Sequence, residues 1–135
     1  MRGAYLLFLD IKRPLRLVVG ALGMASLPAG RYVYVGSACG GIEARIARHR
    51  RLAERKTGKV HWHIDHLLVN RHIQWVGEQA LEGNAECAIS GQIAEIKGVT
   101  VPVPRFGASD CRSGCEAHFY LLPKSFGKSK LAPAG

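Results

Sequence analysis

A chain of 135 residues is the length of one ordinary domain, and a hydrophobic fraction of 47% excludes a disordered segment. The 19 Lys and Arg residues outnumber the 10 Asp and Glu residues, which gives a formal net charge of +9 at pH 7. Such an excess favours polyphosphates or anionic surfaces as partners. The apolar run at residues 4–9 is too short to span a membrane, and no signal peptide is expected, so we expect a cytoplasmic protein whose four cysteines are thiols.

The first part of the chain predicts strands. Residues 3–9, 15–19 and 31–36 have strand length, and the third run is rich in β-branched and aromatic residues. Gly and Pro residues punctuate the stretch between the second and third runs, as turns require. We predict an antiparallel meander over the first 36 residues.

Helical periodicity follows. Residues 42–55 place apolar side chains on one side at helical spacing, which predicts an amphipathic helix. Further helices are predicted over residues 61–70 and 84–96, with short strands over 73–76 and 118–122. The members of the first helical stripe are Ile42, Ile46, His49, Leu52 and Ala53.

This order of elements predicts an α+β fold, a small antiparallel sheet flanked by helices. One domain is expected over residues 1–123. The remaining residues, 124–135, are small, polar and basic, which predicts a flexible tail.

The cationic side chains of the first predicted helix fall into two groups by their position around the helix axis. At about 100° per residue, Arg45 and His49 lie beside the apolar stripe, where a charge needing only water would not normally lie. Arg45 therefore predicts a functional site or a buried salt bridge, and His49 a proton relay or a core histidine. The other candidates point away and could hold phosphates or form a solvated surface; they are Arg48, Arg51, Arg55 and, beyond the helix, Lys59.

The strand before this helix carries Tyr32 and Tyr34, which share one face because side chains alternate along a strand. If that face meets the helix, a tyrosine hydroxyl could converge with Arg45. Two buried core tyrosines are the alternative interpretation.

Three sequence elements together resemble the GIY-YIG nuclease superfamily. Gly3-Ala4-Tyr5 resembles the first motif and Tyr34-Val35-Gly36 the second, and both are followed by Arg45 and His49 at the family's spacing. The two motif tyrosines lie 29 residues apart, a longer gap than is usual, which we interpret as an inserted hairpin. The segments at residues 61–65 and 106–111 extend the resemblance to the Uri endonuclease (DUF123) branch.

The resemblance implies a GIY-YIG-type endonuclease, a hydrolase that cuts phosphodiester bonds in nucleic acid, with DNA expected, and uses Mg²⁺ or Mn²⁺. It implies Tyr5, with Tyr34, as the group that orients or deprotonates water. Arg45 suits a nonbridging oxygen because its planar donors match one. His49, His61 or His63 could relay the proton. No small-molecule cofactor is implied.

The metal ligand implied by the resemblance is a glutamate that opens the helix after the third core strand. Glu86 fits that position, and Glu78 and Glu82 are rivals. The family's late asparagine has no evident counterpart; Asp110, Ser109 or Asn84 could substitute.

Two alternatives remain open. Cys87, Cys111, Cys115 and His118 could form a zinc site, although their spacing is looser than in common zinc ribbons and fingers. The chain would then be a zinc-stabilised interaction domain. It could also be a non-catalytic nucleic-acid-binding module that retains the fold and the charge.

Overall fold

The computed structural model describes residues 3–38, 41–60, 62–82, 86–103, 106 and 118–123. Within these ranges four strands form one antiparallel sheet, two form a second sheet, and three helices flank them. The predicted α+β class is confirmed. The elements in chain order are β1 (Gly3–Ile11), β2 (Leu15–Val18), β3 (Met24–Leu27), β4 (Gly30–Ala38), α1 (Ile42–Arg55), α2 (His63–Leu68), β5 (Ile73–Glu82), α3 (Glu86–Ala94) and β6 (Phe119–Leu121).

The main sheet has the strand order β5-β1-β4-β6, so β1 is an inner strand with neighbours on both edges. Its residues Leu6, Leu7, Phe8 and Leu9 are fully buried. An inner strand that is covered on both faces has no position for a solvated side chain. This explains why β1 is a continuous apolar run rather than an alternating one.

Alternation along the strands gives the sheet two different faces. We call one the site face; it carries Tyr5 from β1 and Tyr34 from β4 and packs in the same core cluster as buried residues of α1 and α2. We call the other the apolar face; it carries Leu6 and Phe8 and packs against Ile93 of α3. The chain therefore buries two cores, one on each side of a single sheet.

The predicted meander over the first 36 residues is wrong. Strand β2 pairs with β3 in a separate two-stranded sheet, and β1 pairs directly with β4, with Tyr5 opposite Gly36 and Ile11 opposite Gly30. Half of the β2 residues are exposed, so this strand is not covered on both faces as β1 is. The predicted inserted hairpin between the two motif strands is confirmed.

Strand β5 is longer than the predicted run at residues 73–76. It continues through Gly77 and Glu78, with a register irregularity where β1 passes from Phe8 to Leu9. Glu78 forms an ion pair with Arg50 of α1. Pairing with β1 and this cross-element ion pair keep polar residues in the strand, and neither is visible in local periodicity.

Helix α1 has the predicted bounds, and its buried residues are those of the predicted stripe. It ends at Lys56, which adopts a left-handed conformation with φ 58° and caps the carbonyl of Leu52. The Lys56 ammonium donates to the carbonyls of Leu68 (3.1 Å) and Ile73 (2.6 Å). Burial lowers the pKa of Lys56. One side chain thus ties the end of α1 to the end of α2 and the start of β5.

Helix α2 is shorter than the predicted 61–70. Its start is fixed by Asp65, whose carboxylate accepts from the backbone N–H of Trp62 at 2.9 Å. The predicted apolar side, Ile64, Leu67 and Leu68, is fully buried. In the described ranges, no helix has both the length and the hydropathy needed to cross a bilayer.

Candidate active site

The centre of the candidate site is a hydrogen bond between strand β1 and helix α1. The Tyr5 hydroxyl lies 2.9 Å from Nε2 of His49, and the two residues are 2% and 1% exposed. Their rings lie 5.7 Å apart, centroid to centroid. Tyr5 projects from the site face, and His49 from the buried stripe of α1. The pair therefore forms where the site face meets α1.

Gly36 makes room for this pair. It lies opposite Tyr5 across the β1–β4 ladder. A Cβ added at Gly36 would lie 2.6 Å from Cε2 of the Tyr5 ring, which is closer than real Cβ contacts allow. The glycine of the Tyr34-Val35-Gly36 motif is thus required by the close approach of a tyrosine ring to the backbone.

A buried carboxylate lies behind His49. Asp65 is fully buried, and its Oδ1 is 3.5 Å from Nδ1 of His49. Both carboxylate oxygens accept from the Arg48 guanidinium at 3.1 Å. Buried carboxylates are stable as ions only when paired in this way. Tyr5, His49, Asp65 and Arg48 therefore form one chain of polar contacts across three elements.

Arg45 lies near the N-terminal end of α1, one turn before His49. Its Nη1 donates to the carbonyl of Ser37 at 2.7 Å, and its guanidinium carbon lies 4.8 Å from the centre of the Trp62 ring. The guanidinium carbon of Arg48 lies 4.8 Å from the same ring. Stacking on Trp62 orients both planar cations, and a guanidinium has five N–H donors, so Arg45 keeps donors beyond the one bound to Ser37.

Aromatic rings surround the Tyr5–His49 pair. The Tyr34 ring lies 6.4 Å from that of Tyr5 and 6.5 Å from that of His49. Phe106 packs edge-on against Tyr34 at 6.2 Å and against His63 at 5.6 Å. Tyr34 is therefore a direct neighbour of the pair. His63 packs on Phe106, which itself packs on Tyr34.

Tyr32 shares the site face but not the site. Its hydroxyl donates to the carbonyl of Pro28 at 2.5 Å, and its ring stacks on Phe119 at 4.9 Å. Burial raises the pKa of Tyr32 well above its usual value. It is a core residue, as the alternative interpretation of Tyr32 and Tyr34 expects, and Tyr34 is also buried, at 7% exposed.

Several of the predicted catalytic residues lie towards one end of the strands of the main sheet. The register places Gly3 opposite Ala38 on one side and Glu82 on the other. Ser37, whose carbonyl accepts from Arg45, lies at this end of the strands. Helix α3 begins at Glu86, four residues after β5 ends. The side chains of Glu82 and Glu86 lie outside the described residues. Glu78, a rival of Glu86, is paired with Arg50.

The predicted phosphate-binding residues line a concavity of about 180 Å³ at the C-terminal part of α1, formed by Arg48, Arg51, Arg55 and Lys59 with three neighbours. Arg48 also donates to the Lys59 carbonyl at 3.0 Å. A second concavity of about 590 Å³, at the opposite end of the sheet from Ser37, includes Lys12, Arg13 and Arg71.

Several predicted residues cannot be placed. His61, Cys111, Cys115, Ser109 and Asp110 lie outside the described residues, as does the side chain of Cys87. Asn84 lies there too. His118 is 1% exposed, and its backbone carbonyl accepts from the N–H of Val35 at 2.8 Å. The zinc alternative thus has one described member.

From the sequence alone, Asp65 was only a candidate for a further metal ligand, and Trp62 was expected in the core. A signal for Asp65 was present, because a carboxylate beside Ile64, Leu67 and Leu68 falls within a buried helical stripe. Its position three residues after Trp62 is also typical of a carboxylate that caps a helix N-terminus. No local signal could pair it with Arg48, which lies 17 residues earlier.

The chain belongs to the DUF123 family, a domain of unknown function whose family model matches residues 4–132. Neither a curated protein nor a solved structure matches the chain. The family membership covers nearly the whole domain and leaves the activity to be argued from the site.

Proposed function

We propose that this protein is a metal-dependent endonuclease that hydrolyses phosphodiester bonds in nucleic acid, with DNA as the expected substrate. The observation that carries the proposal is the 2.9 Å contact between the Tyr5 hydroxyl and Nε2 of His49. It lies beside Tyr34, towards the end of β4 at which Ser37 accepts from Arg45. It joins a hydroxyl that can act on water to a base that can take its proton.

In this proposal, each residue has one role. Tyr5 passes its hydroxyl proton to Nε2 of His49, and its phenolate oxygen then takes a proton from the attacking water. The water oxygen bonds to phosphorus while the bond to the leaving oxygen breaks, and the leaving oxygen takes a proton from solvent. Arg45, oriented by Trp62 and Ser37, donates to a nonbridging oxygen and so stabilises the charge that develops at phosphorus. Tyr34 packs beside Tyr5 and limits its motion.

The expected metal is Mg²⁺ or Mn²⁺, because hard divalent cations prefer carboxylate and hydroxyl oxygens. The chain offers a carboxylate at Glu86, which opens α3 four residues after β5 ends. Glu86 is the expected ligand. When bound, the metal would supply a Lewis acid for the phosphoryl oxygens.

The formal charge of +9 supports a polyanionic substrate. Arg51, Arg55 and Lys59 are exposed around one concavity and would contact phosphates next to the cleaved bond. Replacing Arg51 and Arg55 together with Ala should lower the slope of log affinity against log salt by about 2, because each lost phosphate contact lowers it by roughly 1. Replacing Lys12 and Arg13 in the second concavity removes the same charge and serves as the matched control.

One observation favours a non-catalytic nucleic-acid-binding module. The Tyr5 hydroxyl and Nε2 of His49 are hydrogen-bonded to each other while both residues are almost fully buried. Buried polar groups in ordinary cores do the same. In that case the pair would stabilise the fold, and the basic surface would bind nucleic acid without cutting it.

The experiment that separates the two functions is cleavage of plasmid, branched and single-stranded DNA with Mg²⁺ or Mn²⁺. We expect wild-type protein to nick or cut at least one substrate and Arg45→Ala to lose about 100-fold or more in rate. Arg71→Ala, which removes an exposed arginine at the other end of the sheet, is the matched control and should cut normally. Equal rates for wild type and Arg45→Ala would refute the site, and salt-dependent binding without cleavage would support the module.

A further inference from the structure

The buried carboxylate behind His49 has no role in the proposed reaction so far. Asp65 is 0% exposed, and it reaches His49 from α2 rather than from the helix that carries the histidine. Burying a carboxylate is strongly unfavourable unless it is well paired. The chain nevertheless places this carboxylate beside one ring nitrogen of the residue that contacts Tyr5.

The geometry decides which nitrogen of His49 carries the proton. Nδ1 lies 3.5 Å from Asp65 Oδ1 and makes no hydrogen bond in the described part of the chain. If Nδ1 held a lone pair, that lone pair would approach an anionic oxygen in a site without bulk water, where repulsion is strong. An N–H group in that position is attracted to the same oxygen.

The opposite nitrogen then has a defined role. With the proton on Nδ1, the lone pair on Nε2 points towards the Tyr5 hydroxyl at 2.9 Å. Tyr5 therefore donates and His49 accepts. When the proton transfers, the O–H bond of Tyr5 breaks and an N–H bond forms at Nε2. The imidazolium so formed lies beside the Asp65 carboxylate, which stabilises it.

Arg48 keeps the carboxylate in place. Its two terminal nitrogens donate to the two oxygens of Asp65 at 3.1 Å each, and the N–H of Trp62 donates to Oδ2 at 2.9 Å. Three donors therefore fix the orientation of the carboxylate towards His49. They also balance its charge while His49 is neutral.

We infer that Asp65, held by Arg48, is a positioning residue that fixes His49 in the Nδ1–H tautomer and so makes Nε2 the proton acceptor for Tyr5. The catalytic consequence rests on the proposed nuclease function, whereas the tautomer does not. An orienting second partner of a functional histidine is worth about 10- to 100-fold where it has been removed from other sites.

The direct test is a long-range ¹H–¹⁵N correlation spectrum of the full chain labelled with ¹⁵N-histidine, with His49 assigned from a His49→Gln variant. We expect His49 to be protonated at Nδ1 and unprotonated at Nε2 in the wild type. Asp65→Asn should shift the ring towards the Nε2–H tautomer. Asp10→Asn, which removes a carboxylate paired with Arg31 elsewhere, should leave it unchanged. A wild-type His49 protonated at Nε2 overturns the inference, and that measurement needs no variant to fold.

Kinetics give a second readout. Asp65→Asn should lower kcat about 10- to 100-fold with KM unchanged, because Asp65 does not reach substrate. A rise in KM with kcat unchanged would overturn the inference. Protein that cuts DNA with His49 protonated at Nε2 would refute the inference alone. Protein that cuts nothing but shows the Nδ1–H tautomer, lost in Asp65→Asn, would refute the nuclease proposal alone.

Discussion

The two faces of the central sheet are built from the same two strands but are filled differently. On the apolar face, Leu6, Phe8 and Val35 pack against α3, and a hydrogen bond joins the buried side chains of Ser90 and Tyr120. On the site face, the same strands present Tyr5 and Tyr34 to helices that carry buried titratable residues.

Under the proposed function, the two faces would separate the stability of the domain from its chemistry. Burial of hydrocarbon is favourable without a specific partner, so the stability of the apolar face requires only that its side chains pack closely. Buried polar groups such as His49 and Asp65 stabilise the fold only while every partner is in place, so the site face tolerates no displacement of its side chains. Substitutions on the two faces should therefore have different consequences.

The largest effect on stability is expected from Phe8→Ala on the apolar face. Phe8 is fully buried, and removing a buried phenyl ring costs about 3–5 kcal/mol because a cavity remains. Urea denaturation should show this loss, with Phe8→Leu as a milder control. Cleavage per folded molecule should stay within a factor of two. A tenfold fall would mean that the faces are not independent.

The next largest loss of stability is expected from Gly36→Ala. The added methyl group collides with the Tyr5 ring, and overpacking of this kind costs about 1–3 kcal/mol. Because the ring must move away from His49, cleavage should fall much more than stability. Gly91→Ala in α3, where an added methyl group meets nothing within 4 Å, is the control and should be neutral or stabilising. An active Gly36→Ala protein would contradict the assigned position of Tyr5.

A matched pair of tyrosines compares the faces directly. Tyr5→Phe and Tyr120→Phe each remove a hydroxyl from a buried hydrogen bond, so each should cost about 0.5–1.5 kcal/mol in chemical denaturation. Only Tyr5→Phe should lose cleavage, by about 100-fold or more. If both variants retained activity, Tyr5 would be a structural residue and the site face would resemble the apolar one.

The smallest effect is expected at an ion pair outside both cores. Arg31 donates to Asp10 at 2.7 and 2.8 Å, and this hydrogen bonding holds the pKa of Asp10 below its usual value. A lowered carboxyl pKa contributes stability above about pH 4, and the contribution is lost as the pH falls through the lowered pKa. The pair is partly exposed, so Asp10→Asn should cost less than about 1 kcal/mol at pH 7.

Urea midpoints at pH 7 and near pH 2 would check this prediction. The difference between wild type and Asp10→Asn should shrink towards zero at the lower pH. A difference that grows on acidification would show that the pKa of Asp10 is raised rather than lowered.

Local pattern was sufficient for some elements. Helix α1 was predicted with its bounds and its buried residues because fourteen residues give four turns of unbroken periodicity. Strand β5 was predicted at less than half its length, because Gly77 and Glu78 are poor strand residues and remain in the strand through pairing with β1. The pairing of β1 with β4 across the hairpin was also beyond local pattern.

The sequence by itself determined that His49 would lie on the buried side of α1 and that Arg45 would lie beside the buried stripe, because the pitch of a helix is a local property. Only the tertiary structure decided that the Tyr5 hydroxyl meets His49 rather than Arg45, and that Asp65 lies behind that histidine. Such contacts depend on the angles and distances between whole elements. Those are set by packing between residues far apart in the chain, which no short stretch of sequence encodes.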